Sequence, residues 1–170
     1  SFSRNLGILK SSKDYITFID SDDFVTNNLI KKIKKKIYLK KLNFYTTNFN
    51  LIRKFDEKYK EKRKSNFKVE TVWGNFFKKK FLIQNKILFN EKILKNEDQL
   101  FMAKCFHFTK KIKKINVYWY NYRIHRDNIS YNNSVNKINN FNGTMELLDN
   151  LFELSNKKSS NFIKKMINDN

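Results

Sequence analysis

The sequence predicts an α/β domain, because an apolar strand ends in a group of acids, an amphipathic helix follows it, and further aromatic strands alternate with helical stretches. Tyr15-Ile16-Thr17-Phe18-Ile19 is a strand-forming run that leads straight into Asp20, Asp22 and Asp23. An apolar run bounded by polar turn-formers reads as a buried strand. From Leu29 to Leu42, the apolar positions Leu29, Ile30, Ile33, Ile37, Tyr38 and Leu42 recur at helical spacing, with lysines at most of the others. Val117 to Arg123 is dominated by aromatics and reads as another strand.

The remaining elements follow in order. Ser3 to Ser12 reads as a short helix with Leu6, Ile8 and Leu9 as its apolar contacts, and Lys13-Asp14 turns the chain into the first strand. Thr26-Asn27-Asn28 can cap the helix that begins at Leu29. Leu42 to Leu51 reads as a second strand, and the charged stretch from Arg53 to Lys68 as an exposed hairpin or loop. Val72-Trp73-Gly74-Asn75 leads into a predicted helix over Phe76 to Gln84, and Ile87 to Glu91 is extended. A helix from Gln99 to about Thr109 is expected to bury most of Leu100, Phe101, Ala103, Cys105, Phe106 and Phe108; a basic alternating segment, Lys110 to Asn116, precedes the aromatic strand. Past Tyr131 the chain is rich in Asn and Ser, with helices expected between Val135 and Met166. No repeat and no Gly/Pro-rich linker divides the chain, so residues 1–131 read as one domain and 132–170 as a helical Asn/Lys-rich extension.

With 170 residues, 40% of them hydrophobic and seventeen of them Phe, the chain can bury a core. No apolar run approaches the length of a membrane span, and a single cysteine excludes a disulfide framework within the chain. Cytoplasmic placement is the expectation. The net charge of +20 invites a nucleic-acid reading. However, all but five of the 36 basic residues are lysine, asparagine is abundant and proline is absent. This is the bias of AT-rich codons, and it explains much of the charge without a partner. Nucleic acid is therefore not the expected partner, although Tyr118 to Tyr122 would offer a stacking platform if it were. The lysine-rich helix also suits peripheral contact with an anionic membrane face.

The acids carry the chemistry. Carboxylates at the C-terminal tip of a buried strand lie where open α/β sheets bind ligands. Clustered, they call for a cation, and oxygen-only ligands suit Mg²⁺ or Mn²⁺ at a phosphate-handling site. A strand ending in Asp-x-Asp also suggests a haloacid dehalogenase-type phosphatase, but Phe24 stands where that pattern requires Thr or Val. A calcium-binding EF-hand fails because Val25 occupies the glycine position and Lys31 the bidentate glutamate position. One Cys and two His leave no zinc set, and three glycines make no phosphate loop.

Four blocks, in order, resemble the family 2 glycosyltransferases of the GT-A fold. Ser3-Arg4-Asn5-Leu6-Gly7 followed by Asp14 to Asp23 is similar to that family's S-x-A-R-N-x-G and G-x-Y-x-x-F-x-D-x-D-D run. Val72 to Phe77 resembles its W-x-K-L-[YF] segment. Ile87 to Glu91 with Asn96 to Phe101 resembles I-x-F-x-E and E-D-x-x-F. Tyr120 to His125 with Ser130 resembles Y-x-Y-R-x-H-x-x-S. The likeness covers about residues 3 to 131, with Lys13 where the family has Gly. It implies a fold whose first strands, which hold the donor's base and ribose, would precede Ser3, so the chain reads as a fragment lacking its nucleotide-binding start.

The resemblance implies a metal-dependent, inverting transfer from a nucleotide-diphosphate sugar to a saccharide or lipid-linked acceptor, in surface polysaccharide or glycoconjugate synthesis. Asp22 would be the main ligand of Mn²⁺ or Mg²⁺, with Asp20 on the ribose or the metal's water shell and Asp23 on sugar hydroxyls or its own loop. Asp98 would be the general base and Glu97 its neighbour at the acceptor or donor sugar, although acids opening a helix are also simply good capping. Arg4 and Asn5 would lie near the diphosphate or ribose. His125 would contact metal or diphosphate, with Arg123 or Arg126 closing over the phosphates. Trp73 would stack on a sugar or lie in the core.

Overall fold

A computed structural model describes residues 1–38, 41–54, 60–65, 71–93, 96–109, 112–124, 149–151 and 153. Along the chain run α1 (Phe2–Lys10), β1 (Tyr15–Ile16), β2 (Phe24–Val25), α2 (Leu29–Tyr38), β3 (Phe44–Lys54), β4 (Lys60–Ser65), β5 (Asn75–Lys78), α3 (Lys79–Gln84), α4 (Glu97–Phe108) and β6 (Ile112–Ile124). The strands form one mixed sheet in the order β1-β5-β3-β6-β2, with β4 also pairing on β3. Its spine is the parallel pair β3 and β6, joined from Phe44↔Ile112 to Arg53↔Ile124, and the other pairings are antiparallel. A β-bulge shifts the β3–β6 register around Asn48, where the Asn48 amide donates to Asn116 Oδ1 at 2.9 Å.

Period-two alternation sends neighbouring residues to opposite faces of the sheet. Phe44 joins a cluster with Ile8 of α1, Phe81 and Leu82 of α3, and Phe101 and Met102 of α4. Tyr45, next in sequence, joins a second cluster with Ile33 and Ile37 of α2 and with Trp119. The layers are therefore three helices on one face and α2 on the other. Several polar interior groups are paired: the Trp119 indole N–H donates to Thr47 Oγ1 at 2.6 Å, and that hydroxyl donates to the Gly74 carbonyl at 2.5 Å. The Asn50 amide donates to Asn121 Oδ1 at 2.9 Å, and the Asn121 amide to the Phe24 carbonyl, tying β2 to the sheet.

Several predicted elements shift. The expected helix over Phe76 to Gln84 begins only at Lys79, because Phe76 and Phe77 enter opposite clusters, which a strand achieves and a helix does not. The first strand pairs regularly only at Tyr15–Ile16, and Phe18 makes a parallel bridge to Trp73. Gly74, at a φ of 75° that favours glycine, turns the partner chain between that bridge and β5. The predicted Leu29–Leu42 helix is α2 over Leu29–Tyr38, with Lys41 and Leu42 outside any helix, and β3 runs from Phe44 to Lys54 rather than from Leu42 to Leu51. The charged stretch after Arg53 is indeed part of a hairpin, with β4 antiparallel to β3. Lys110–Asn116 and the aromatic strand merge, from Ile112, into β6.

On α1 only Ile8 of the three expected contacts is buried; Leu6 and Leu9 are exposed. The stacking platform expected of Tyr118 to Tyr122 does not exist as a surface, since Trp119 and Tyr120 are wholly buried. Among the described residues no helix is long and apolar enough to cross a membrane. His125, Arg126, Ser130 and most of the predicted C-terminal extension lie outside the described residues.

Candidate active site

Arg4 is the hub of the candidate site. It projects from the first turn of α1, and its Nη2 donates to Asp20 Oδ1 at 2.7 Å. Its Nη1 donates to Glu97 Oε1 and to Asp98 Oδ1, both at 2.8 Å. One guanidinium thus gathers acids from the end of the first strand and from the first turn of α4. Beneath it lies the Phe89 ring, 5.3 Å from the guanidinium carbon, a cation–π contact. Phe89 in turn stacks on Phe101 of α4. Burial opposes the charge on Arg4, but Asp98, Asp20 and Glu97 outweigh it and raise its pKa. Arg4, expected beside a diphosphate or ribose, has its donors on these acids in this arrangement.

Asp98 is the most perturbed of these acids. Burial raises its pKa and outweighs the opposing Arg4 charge; Glu97 adds to the rise, and the group is pushed up to about 7. Its second oxygen, Oδ2, faces the Val72 N–H at 3.4 Å. Both recorded partners thus lie outside its own helix. The N-cap residue Asn96 adopts a left-handed φ of 64° and makes no side-chain cap bond. The helix dipole still favours acids in this first turn, but the Asp98 carboxylate is aimed away from it, at Arg4.

Asn5 serves the site indirectly. Its Nδ2 donates to the Phe89 carbonyl and to Glu91 Oε1, each at 3.0 Å, and its Oδ1 accepts from the Phe89 N–H at 2.8 Å. The amide is 8% exposed and fully engaged. Asn5, expected near the diphosphate or ribose, here clamps the extended 87–91 segment to α1 and so seats Phe89 under Arg4. Asn5→Ala would leave the Phe89 backbone groups without their partners. We expect a loss of about 2 kcal/mol in urea denaturation; an unchanged midpoint would refute the clamp.

The acidic loop is held from β6. The Tyr120 hydroxyl donates to Asp23 Oδ2 at 2.5 Å and accepts from the Asp20 N–H at 3.2 Å. Asp23 Oδ1 accepts from the Arg123 N–H at 2.8 Å, and Arg123 Nε donates to the Asp22 carbonyl. Burial raises the pKa of Asp23, although its Tyr120 and Arg123 hydrogen bonds oppose the rise. Of the two roles expected for Asp23, the observed bonds are those of the loop. Asp22 sits half-buried at the tip. Arg123, expected over phosphates, here pins this loop. Trp73 is 7% exposed and stacks on Tyr120 and Tyr122, so it lies in the core.

Tyr120 and Phe89 escaped the sequence reading as site residues. Tyr120 stands in the Y-x-Y-R block, whose aromatics read as strand formers, and only the fold brings its hydroxyl to the acids. Tyr120→Phe keeps the Trp73 stack but removes the hydroxyl. The expected cost is about 1–3 kcal/mol. The NMR amide signals of Asp20 and Asp23 should shift with it; their constancy would count against the strut.

A divalent cation fits these residues in a limited way. Among the described residues no three His, Cys, Asp or Glu side chains gather around a common metal position. Mg²⁺-type sites commonly use only one or two carboxylates, with water and substrate phosphate completing the shell. Asp22, with Asp20 two residues away, supplies that number.

Comparison with known proteins bears on this arrangement. The family model for glycosyl transferase family 2 matches residues 2–108. The glycosyltransferase GlyA of Streptococcus pneumoniae is 23% identical over 154 residues, covering 76% of this chain and 22% of that protein. An uncharacterized glycosyltransferase of Haemophilus influenzae is 53% identical over 30 residues, which cover 18% of this chain and 12% of that protein. Among solved structures, S. aureus TarS 1-349 in complex with UDP matches at a TM-score of 0.66 and 16% identity, over 96% of this chain and 47% of that one. The same protein in complex with UDP-GlcNAc matches at 0.66 and 14%, over 88% and 46%. At such identities the structural likeness concerns the fold, which is that of the GT-A enzymes. The chain spans less than half the length of each of these proteins.

Proposed function

From the premise that this chain belongs to glycosyl transferase family 2, we propose that its Arg4-centred acids transfer a sugar from a nucleotide-diphosphate donor to an acceptor hydroxyl. The observation that carries the reading is the convergence of Asp20, Glu97 and Asp98 on one guanidinium. In this reading Asp98 is the general base. The acceptor oxygen forms a bond to the anomeric carbon as its proton passes to the Asp98 carboxylate. The bond from that carbon to the diphosphate oxygen breaks, and the electron pair leaves with the diphosphate. A base with a pKa of about 7 is matched to neutral pH. Direct attack with one base inverts the anomeric configuration, which NMR of the product would reveal.

Asp22, with Asp20, would hold Mn²⁺ or Mg²⁺. Such a cation, when bound, supplies positive charge to the leaving diphosphate. In the same reading Glu97 meets sugar hydroxyls beside Asp98. His125 would join the metal or diphosphate from the segment that follows β6. The UDP and UDP-GlcNAc complexes of TarS make a uridine diphosphate sugar the first donor to try. The acceptor would be a saccharide or lipid-linked saccharide in polysaccharide or glycoconjugate synthesis. Cytoplasmic placement with peripheral membrane contact belongs to the same reading, supported by the exposed lysines Lys31, Lys34 and Lys36 of α2.

The test uses the complete translated reading frame. UDP release from UDP-GlcNAc and related donors should need Mn²⁺ or Mg²⁺, stop with EDTA, and fall sharply in Asp22→Asn. Release that persists through both treatments would overturn the metal assignment.

A further inference from the structure

A cavity of about 710 Å³ opens at the start of β1, the end of that strand away from Asp20, and none of the acids gathered by Arg4 lines it. Its wall carries Lys13, Lys41, Lys78, Lys79 and Lys80 against a single carboxylate, Asp14. The crowding has a structural origin. Lys78 ends β5 opposite Tyr15, and Lys79 and Lys80 open α3 immediately afterwards, so three consecutive lysines fall at one strand-to-helix corner. Lys13 and Lys41 reach the same hollow from the α1–β1 turn and from the approach to β3.

One of these ammonium groups has a structural task. Lys79 Nζ donates to the Leu9 carbonyl at 3.0 Å and to the Ser11 carbonyl, closing the C-terminus of α1. Lys13, Lys41, Lys78 and Lys80 make no ion pair among the described residues. Like charges crowded round a concave wall repel one another, and a multiply charged anion between them would relieve that repulsion. The rim adds Tyr38 and Ile83, which are 52% and 43% exposed and give a ligand's organic part an apolar surface. The volume is that of a small-molecule site.

We propose that this cavity is an anion site, separate from the acids gathered by Arg4, that binds a phosphate-bearing ligand through Lys13, Lys41, Lys78 and Lys80. The site stands whether or not the transferase reading holds, since it shares no residue with it. Two sources carry the same chemistry: a soluble phosphorylated metabolite and the headgroup of an anionic lipid.

Inorganic pyrophosphate is titrated into the protein and followed by NMR, with EDTA present so that divalent cations do not recruit the probe to the carboxylates. Shifts should concentrate at Ser12, Lys13, Tyr15 and Lys80. Replacing Lys13, Lys41 and Lys80 by Gln should weaken binding by roughly tenfold or more, as loss of charge-assisted contacts does. A control triple, Lys64, Lys86 and Lys92 to Gln, removes the same charge outside the cavity and outside α2, and should leave binding within about twofold. All six lysines are exposed, so both triples should fold. Co-sedimentation with phosphatidylglycerol vesicles in phosphatidylcholine then assigns the source. Release of the cavity triple alone identifies a lipid headgroup, and equal behaviour of both triples on vesicles identifies a soluble phosphate. If the two triples weaken pyrophosphate binding equally, or shifts scatter over the whole chain, the overall charge is the binder and the site is refuted.

Discussion

Asp98→Asn is expected to lower sugar transfer by about 10²–10⁴-fold, the usual share of a general base, while leaving the fold intact. The same carboxylate predicts the pH profile. With the group pushed up to about 7 by burial and by Glu97 against the opposing pull of Arg4, its basic form is lost below neutrality. Turnover should rise with pH through about 7 and then level off, and the carboxyl ¹³C signal of Asp98 should titrate at the same midpoint. The stability linkage runs the other way. The folded-state pKa lies above the ordinary aspartate value, so between about 4 and 7 the folded protein binds more protons than the unfolded chain. Stability from this group is present at low pH and is lost as pH rises through 7. Asp98→Asn removes that slope, so its Tm at pH 8 should match or exceed that of the unsubstituted protein. Retained turnover, or an unchanged pH dependence of Tm, would sink the assignment.

Removing Arg4 should have the largest effect on stability. Asp20, Glu97 and Asp98 all take hydrogen bonds from this guanidinium, and their side chains are only 20–28% exposed. Arg4→Met leaves these carboxylates facing one another without their shared cation. Truncating one partner of a buried pair costs about 3–5 kcal/mol; with this much solvent access, about 2–4 kcal/mol is expected at pH 8. The penalty should shrink at pH 5. Without Arg4 the folded-state pKa of Asp98 rises further, and below it the proton supplies the neutralisation that the guanidinium gave. Arg4→Lys should fall between, because one ammonium cannot reproduce the fork that spans three acids. Urea denaturation at the two pH values decides the matter. An equal loss at pH 5 and pH 8 would mean that Arg4 acts through packing on Phe89 rather than through charge.

Local chemistry made much of this molecule readable from residue order alone. The strand entering Asp20, Asp22 and Asp23, the amphipathic α2, the helix opened by Glu97 and Asp98, and the aromatic part of β6 follow from periodicity and turn residues, whose rules act within a few positions. The family assignment rests on the same kind of signal, four short blocks in order. What the chain order concealed is non-local. Phe76-Phe77 reads equally as helix or strand, and only the presence of an apolar cluster on each side of the sheet makes it β5. Asn5 and Arg4 stand side by side in one motif, yet their directions on α1 send one amide to the Phe89 backbone and one guanidinium to three acids. The Tyr120 hydroxyl meets Asp20 and Asp23 because β2 pairs with β6. Sequence by itself determined which side chains could do acid–base and metal chemistry, since that is a property of residue type. Tertiary structure alone decided which of them share a charge, which are buried and at what pH they titrate, because desolvation and Coulomb interaction depend on distances that the fold creates.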